Sequence, residues 1–341
     1  MKVNRNLLFI MVSVIVFQLT GIVGFAFAEE KWTKPISIGS GSVGSSHYTI
    51  QTGCAGIITR YAGISATCEA TKWSAANVDL LRNREIELSS CTSDAVYDAW
   101  IGSDYFKGKQ QDFVRIYHTG YTSCCVFVTR ADSGIKKAED MRGKRVYAWK
   151  TTSPIMMRWT LATLYGAGLT KDDVKMMDEV STKEAVSALK EGRCDVSLIV
   201  GSIPTSAVIE LTNTMDCTIL PAPENVQKVL DEQFPFVMLL DLPANTYKGQ
   251  TKDIKILGAK THMICHNDLP NDLIYRVTKA LMEHPDEVAA IHPAAKTVNL
   301  ENVFANPQAP YHPGAIEYYK EKGVWTDEMQ KFQNAKLAEV K

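Results

Sequence analysis

The residues best suited to chemistry stand together near the start of the chain. Ser37-Ile38-Gly39-Ser40-Gly41-Ser42-Val43-Gly44-Ser45-Ser46-His47-Tyr48 sets a hydroxyl-rich glycine loop between a short apolar strand and a helix. Such a loop grips anions. Backbone N–H groups at a helix start point at the ligand, the helix dipole favours negative charge, and glycines let the main chain come close. The spacing Gly39-x-Gly41-x-x-Gly44 also satisfies the dinucleotide-binding template, with Glu69 ending the next strand where a ribose-binding acid would stand. Which anion is bound depends on where the chain lives.

Residues 1–28 read as a secretory signal: Lys2 and Arg5, an apolar run from Leu7 interrupted by Gln18 and Thr20, then Ala26-Phe27-Ala28 as a cleavage site. The mature chain then starts at Glu29 and works in the periplasm. The alternative is a permanent anchor, which an apolar run of about 20 residues could supply; the small-residue site followed at once by Glu29-Glu30-Lys31 favours cleavage. No twin-arginine pair precedes the run, so the chain is exported unfolded, which fits poorly with a nicotinamide enzyme, and no cofactor is expected. Removing Lys2 and Arg5 from the 37 basic residues leaves 35 against 38 acidic. That near-neutral balance does not suit a nucleic-acid partner. About 313 mature residues suit two domains.

Other chemistry finds less support. Eight cysteines (54, 68, 91, 124, 125, 194, 217, 265) either pair in an oxidising compartment or pack as small apolar residues. The adjacent Cys124-Cys125 lacks the C-x-x-C arrangement of a thiol oxidoreductase. His262, Cys265 and His266 have the composition of metal ligands, but on a strand His262 and His266 face one side and Cys265 the other. No G-x-S-x-G or H-E-x-x-H occurs, so no metal and no catalytic residue is assigned. A secreted metal-binding protein or enzyme using His47 and the cysteines is the rival reading.

The elements that must position the glycine loop alternate. Strand Ile36–Ile38, a helix from Tyr48, strand Ile64–Glu69, a helix from Ser74 and strand Ile86–Cys91 make a parallel α/β unit; Ile50, Cys54, Ile57, Ile58 and Tyr61 mark the buried face of its first helix. A long apolar strand, Phe113–Thr129, follows. The alternation restarts with strand Arg145–Trp149, helix Met156–Tyr165, a strand near Val174–Met177, helix Lys183–Lys190 and strand Asp195–Val200. Leu80–Ser89 echoes Ala188–Ser197, each a helix end, a basic turn and a strand. Both strands run into a polar loop, Thr92-Ser93-Asp94 in one and Gly201-Ser202-Ile203-Pro204-Thr205 in the other, and ligands on open α/β sheets bind beyond the carboxyl ends of strands. Two facing lobes therefore make a cleft that closes on its ligand. The expected division is residues 29–122 plus 255–341 as lobe 1 and 123–254 as lobe 2, with hinge strands near 113–129 and 239–258. Strand Ile254–Cys265 and helices at Asp272–His284, Gly314–Lys322 and Asp327–Lys341 complete the chain.

Motifs in order along the mature chain resemble the TAXI family of solute-binding proteins of TRAP transporters. They are the glycine loop ending in His47-Tyr48, Glu69-Ala70-Thr71-Lys72-Trp73-Ser74-Ala75-Ala76-Asn77, Thr92–Ala99, Arg130–Ile135, Met141–Val146, Pro243–Gly249, His292–Lys296 and His312–Ala315 with Tyr318-Tyr319. The resemblance implies a two-lobed α/β periplasmic-binding-protein fold of type II. It further implies a monomer that captures an organic acid, typically a carboxylate or dicarboxylate such as glutamate or 2-oxoglutarate, and delivers it to TRAP membrane permease subunits without catalysis.

Departures from the family pattern bear on specificity. Thr71-Lys72-Trp73-Ser74 stands where the family has Thr-Gly-Gly-Ser, Lys150-Thr151-Thr152-Ser153-Pro154-Ile155-Met156 stands for a Gly-rich run, and Ser202-Ile203-Pro204-Thr205 stands for Gly-His-Pro-Thr. Lys72 and Lys150, one per lobe, are expected to neutralise the anion while Trp73, Tyr48, Tyr97 and Ile155 surround an apolar or aromatic body; otherwise both lysines face solvent. Residues 40–48 with Ser93, Asp94 and Tyr97 of one lobe would close on Thr151–Ser153 and Ser202–Pro204 of the other.

Overall fold

The computed structural model describes residues 31–43, 45–72, 74–149, 153–178 and 181–340. The expected signal, Gly44, Trp73, Lys150, Thr151 and Thr152 lie outside these residues. The first half contains β1 (Ile36–Gly39), α1 (Ser46–Ala62), β2 (Ala66–Glu69), α2 (Ser74–Arg82), β3 (Leu88–Thr92) and α3 (Ser93–Ile101). The chain continues through β4 (Val114–Arg130), β5 (Arg145–Trp149), α4 (Pro154–Gly166), β6 (Lys175–Asp178), α5 (Thr182–Lys190), β7 (Val196–Gly201) and α6 (Ser206–Thr214). It ends with β8 (Cys217–Leu220), α7 (Val226–Gln233), β9 (Met238–Leu242), β10 (Ile254–His266), α8 (Asn271–Met282), α9 (Pro285–Ile291), α10 (Pro313–Glu321) and α11 (Asp327–Ala338).

These strands form one sheet in the order β2-β1-β3-β10-β4-β7-β5-β6, with β8 on β4 and β9 on β10. In the first half β2, β1 and β3 are parallel and β10 runs against them. In the second half β6, β5 and β7 are parallel and β4 runs against them. Each half thus repeats second, first, third, then a strand arriving from the other half. The two segments that echo each other in sequence, α2–β3 and α5–β7, hold the same place in the two halves.

Two strands pass between the halves side by side. β4 pairs with β10 from Val114 opposite His266 to Cys125 opposite Leu257, and its later residues pair with β7. The second crossing differs from the expectation near 239–258. β9 folds back on Ile254–Gly258 of β10, Pro243 and Gly249 lie in the intervening turn, and β10 itself continues to β3. Proline and a positive-φ glycine suit that turn and not a ladder.

Alternation explains why β4 reads as a continuous apolar run. Cys124, Val126 and Val128 pack with Ala185, Leu189, Val208 and Leu211 on one face, while Cys125 and Phe127 pack with Trp159, Ala162 and Leu230 on the other. Helices cover both faces, so both residue sets are buried. Cys124, Cys125 and Cys194 belong to this packing. All eight are free and six are buried.

Of the two stretches read as polar loops, Thr92-Ser93-Asp94 proves to be a helix start. Thr92 is the N-cap of α3 and Asp94 lies in its first turn, where a carboxylate meets the positive end of the helix; Val96, Ala99 and Trp100 bury its inner face. The loop Gly201–Thr205 likewise feeds α6, with Thr205 as its N-cap. Helix Asp272–His284 is followed by a second helix because Pro285 starts one at its first turn.

The motifs His292-Pro293 and His312-Pro313 are the same device used twice. Nδ1 of His292 accepts from the Ala294 N–H at 3.1 Å, and Nδ1 of His312 accepts from the Gly314 N–H at 3.1 Å. His312 Nε2 faces the Leu269 carbonyl at 3.0 Å, which fixes the Nε2–H tautomer, and burial lowers its pKa to about 4. Gly314 lets α10 approach α8: a Cβ there would lie 2.3 Å from the Asn271 carbonyl oxygen. Backbone cannot yield as a side-chain tip does.

α3 also ties the halves together. Ser93 Oγ donates to the Phe236 carbonyl at 3.0 Å and the Tyr97 ring packs 5.4 Å from that of Phe236. From α4, Arg158 reaches Asp94 at 3.1 Å, Asp98 at 2.6 Å and Asp104 at 3.1 Å, with its guanidinium 4.9 Å from the Phe236 ring centroid. Burial raises the Asp94 pKa despite this cation.

Gly314→Ala is expected to destabilise the fold by about 2 kcal/mol or more through overpacking against backbone, read by thermal denaturation; an unchanged Tm refutes the close approach. Arg158→Met leaves Asp94 and Asp98 buried without a cation and is expected to cost about 3–5 kcal/mol near neutrality. A carboxyl whose folded pKa is raised stabilises the fold when protonated and loses that contribution as pH rises. The penalty in Arg158→Met should therefore shrink as pH falls into the carboxyl range, and urea unfolding at the two pH values that shows an equal penalty rules this out.

Candidate functional site

The glycine loop is held by a lattice of short bonds. Ser45 caps α1, accepting from the Tyr48 N–H at 3.2 Å. The Ser40 carbonyl accepts from Thr71 Oγ1 and from Asn77 Nδ2, both at 2.8 Å, while Ser40 Oγ donates to the Glu69 carbonyl at 2.8 Å. Asn77 also donates to the Ser90 carbonyl at 3.2 Å, tying the loop to β3. Ser74 Oγ accepts from the Thr92 N–H at 3.1 Å. Thr71 and Asn77 thus act as braces behind the loop.

In front of the loop a chain of cavities runs between the halves. The outer one, about 210 Å³, is walled by Ser40, Gly41, Ser42, Ser45, Lys72 and Ser74, and faces Ser153 and Ile155 of the second half. Asp94, Asp98 and Asp104 close one side. A deeper cavity of about 400 Å³ shares Ser45, His47, Thr92, Ser153 and Ile155 with it. Its floor is Tyr121 and Ser123 of β4 with Ala259, Lys260 and Thr261 of β10, and Trp159 and Ser202 stand on the second half's side. A third cavity of about 350 Å³ continues past Ser202 and Lys260 to Ile203, Leu240 and Asp241.

The deep cavity is a nest of donors. Its lining contains hydroxyls, an indole, imidazoles and one ammonium, and no Asp or Glu among the described residues. Lys260 is 4% exposed, and no carboxylate or hydrogen-bond acceptor among the described residues meets it; burial lowers its pKa to about 8. Tyr121 Oη and Trp159 Nε1 are buried with no hydrogen-bond partner among the described residues, the neighbouring Thr261 hydroxyl standing outside bonding geometry to Tyr121. His47 stands edge-on to Tyr121 at 5.2 Å, with Nδ1 3.4 Å from Ser90 Oγ. Desolvation lowers its pKa to about 4, so the imidazole is neutral at physiological pH. A buried donor left without an acceptor costs about 1–3 kcal/mol, and an anion's oxygens would satisfy several of these at once.

Of the residues singled out from sequence, Ser40, Gly41, Ser42, Ser45, Ser46, His47, Lys72, Ser74, Asp94, Ser153, Ser202 and Ile203 line this chain of cavities. Lys72 is exposed at its outer rim. Val43 is 74% exposed and lines none of them. Tyr48, Ser93, Tyr97 and Pro204 do not line them either; Ser93 and Tyr97 serve the contact between halves instead. Tyr121, Trp159 and Lys260 were missed. Lys260 had a signal: a lysine inside a strand that is otherwise almost wholly buried is out of place unless something meets its charge.

The thiols do not make this a reactive site. Burial raises Cys54 and Cys91 to about 12 and Cys124 to about 11, so they stay protonated and inert. Among the described residues no group of three or more His, Cys, Asp or Glu is placed to hold a metal ion.

Known proteins agree with this architecture. XAC2383 from Xanthomonas citri, in its ATP-bound form, superimposes with a TM-score of 0.51 at 12% identity over 88% of this chain and 99% of its own. The periplasmic aliphatic sulphonate binding protein SsuA from Escherichia coli aligns over 90% of this chain and 86% of its own at 13% identity and a TM-score of 0.44. Substrate binding domain 2 of Lactococcus lactis GlnP, in its open conformation, aligns over 77% and 95% at 12% identity and a TM-score of 0.43. The fold is the two-lobed α/β fold of periplasmic binding proteins, with the strand order repeated in each half. The sequence profile of the NMT1-like family matches residues 38–323, a span that takes in both halves of the sheet and both crossing strands, and the chain belongs to that family.

Proposed function

We propose that the protein is an extracytoplasmic solute receptor: it captures an organic acid in the cleft between its halves and hands it to a membrane transporter. It is a binding protein and not an enzyme. The observation that carries the reading is the deep cavity of about 400 Å³, walled by both halves and both crossing strands, rich in donors and free of carboxylates among the described residues. Desolvating an anion between two surfaces strengthens every hydrogen bond made to it, so a ligand that touches both halves favours their closure. The sulphonate-binding neighbour is a periplasmic protein for an organic anion, which is consistent in kind. The resemblance to TAXI proteins supports delivery to a TRAP permease by a monomeric periplasmic protein, and Ile155 with Trp159 supports a solute with an apolar or aromatic body.

Thermal shift of the purified protein is expected to be larger with aromatic or branched carboxylates than with glutamate, and a mass spectrum of what co-purifies should show an organic acid. Equal or reversed preference would remove the apolar body. Absence of a shift with any organic acid at millimolar concentration would remove the receptor reading itself. Trp159→Phe keeps the ring's bulk and deletes the indole donor, so affinity for the acid that gives the largest shift is expected to fall about fivefold to tenfold; isothermal titration showing no change would take Trp159 out of the site.

A further inference from the structure

We infer that the anionic group of the solute is held at the floor of the cleft by Lys260, with Tyr121 and Trp159 donating beside it, and that the solute is a monoanion. The inference rests on the receptor reading above and deepens it. Lys72 at the mouth is a weaker choice of anchor: it is exposed at the rim, where water already solvates its ammonium.

Three observations place the charge. Lys260 is 4% exposed, lines both the 400 Å³ and the 350 Å³ cavities, and meets no carboxylate or acceptor among the described residues. An ammonium so placed has lost most of its water without receiving a counter-charge among the described residues, and its pKa of about 8 reflects that loss. Arg158, the other cation buried between the halves, has three aspartates; Lys260 has none. Tyr121 Oη and Trp159 Nε1, which line the same cavity, are fully buried and have no hydrogen-bond partner among the described residues. Three donors around one acid-free space match the acceptor oxygens of one carboxylate or sulfonate.

The count of charges follows from what lies to either side. Toward the mouth, a second anionic group meets Asp94, Asp98 and Asp104, three carboxylates against Arg158 and Lys72. In the other direction the third cavity offers Asp241, already paired with Lys255 at 2.8 Å, and Lys296, which is exposed to water. Among the described residues no buried cation besides Lys260 lines the path, and the aspartates at the mouth outnumber the cations there. The body of the solute therefore carries neutral groups toward His47, Ser45 and Ile155.

The test uses the purified protein with benzoate, phenylacetate, their amides, the matching sulfonates, glutamate and 2-oxoglutarate, read by thermal shift and isothermal titration. At least one monocarboxylate or monosulfonate is expected to bind tenfold or more tightly than its neutral amide and than either dicarboxylate. In Lys260→Met that affinity is expected to fall at least tenfold, whereas Lys260→Arg retains part of it. Without any probe, Lys260→Met should melt at the same temperature or higher, because an uncompensated buried charge has been removed. Lys260→Gln is measured beside it and is expected to lose affinity in the same way, so the result does not hang on one variant's folding. Unchanged monoanion affinity in Lys260→Met or Lys260→Gln, or a clear preference of the wild type for dicarboxylates, overturns the inference and leaves the receptor reading standing. If no acid shifts the wild type, the receptor reading falls and this inference falls with it.

Discussion

The pairing of β4 with β10 is the constraint on which the rest of the structure depends. The two strands stay bonded to each other from Val114–His266 to Cys125–Leu257, while each exchanges its outer neighbour from one half of the sheet to the other. Buried backbone groups must remain paired, so this double strand cannot part without a heavy cost. The helices of each half pack on its own strands, and what lies between the halves takes its floor from the paired ribbon. Register shifts between Lys260 and His262, and again between Met263 and Ile264, reset which residues of β10 face that floor.

Burial then decides which groups keep their charge. The buried thiols are pushed up and stay protonated; His47, His118, His262 and His312 are pushed down to about 4 or about 3 and stay neutral. These groups are therefore in the wrong state for a reading built on nucleophilic cysteine or protonated histidine. Among the described residues, the charges that remain between the halves include Arg158 with its aspartates and Lys260 without any. The first is a structural contact that joins α3 to α4. The second has no such partner among the described residues.

The α/β alternation was legible because parallel strands covered on both faces are continuous apolar runs and the intervening helices carry apolar residues every third or fourth position. The glycine loop was legible as well, since Ser45 caps the helix that follows and only small residues fit around it. Thr92-Ser93-Asp94 was harder: a polar triplet reads as a loop, and that it opens a helix depends on Val96 and Trp100 finding the core. Thr71 and Asn77 sit in a motif with the look of a ligand loop, yet their side chains serve the Ser40 carbonyl. The role of Lys260 depends on which strands flank β10 and on a register that slips twice, and neither can be counted along the chain.

Where the floor lies also sets what the loops contribute. Ser40, Ser42, Ser45 and Ser153 offer neutral donors from elements that belong to one half or the other, so their geometry about a ligand depends on how the halves sit. Lys260, Tyr121 and Ser123 belong to the paired strands and keep their geometry toward one another through the ladder itself. A charge placed on that ribbon has a position fixed by the ladder, and the walls of both halves desolvate it. Its electrostatic pull is present before the halves meet, and the hydroxyls of the loops then have only to complete an anion that the floor already holds.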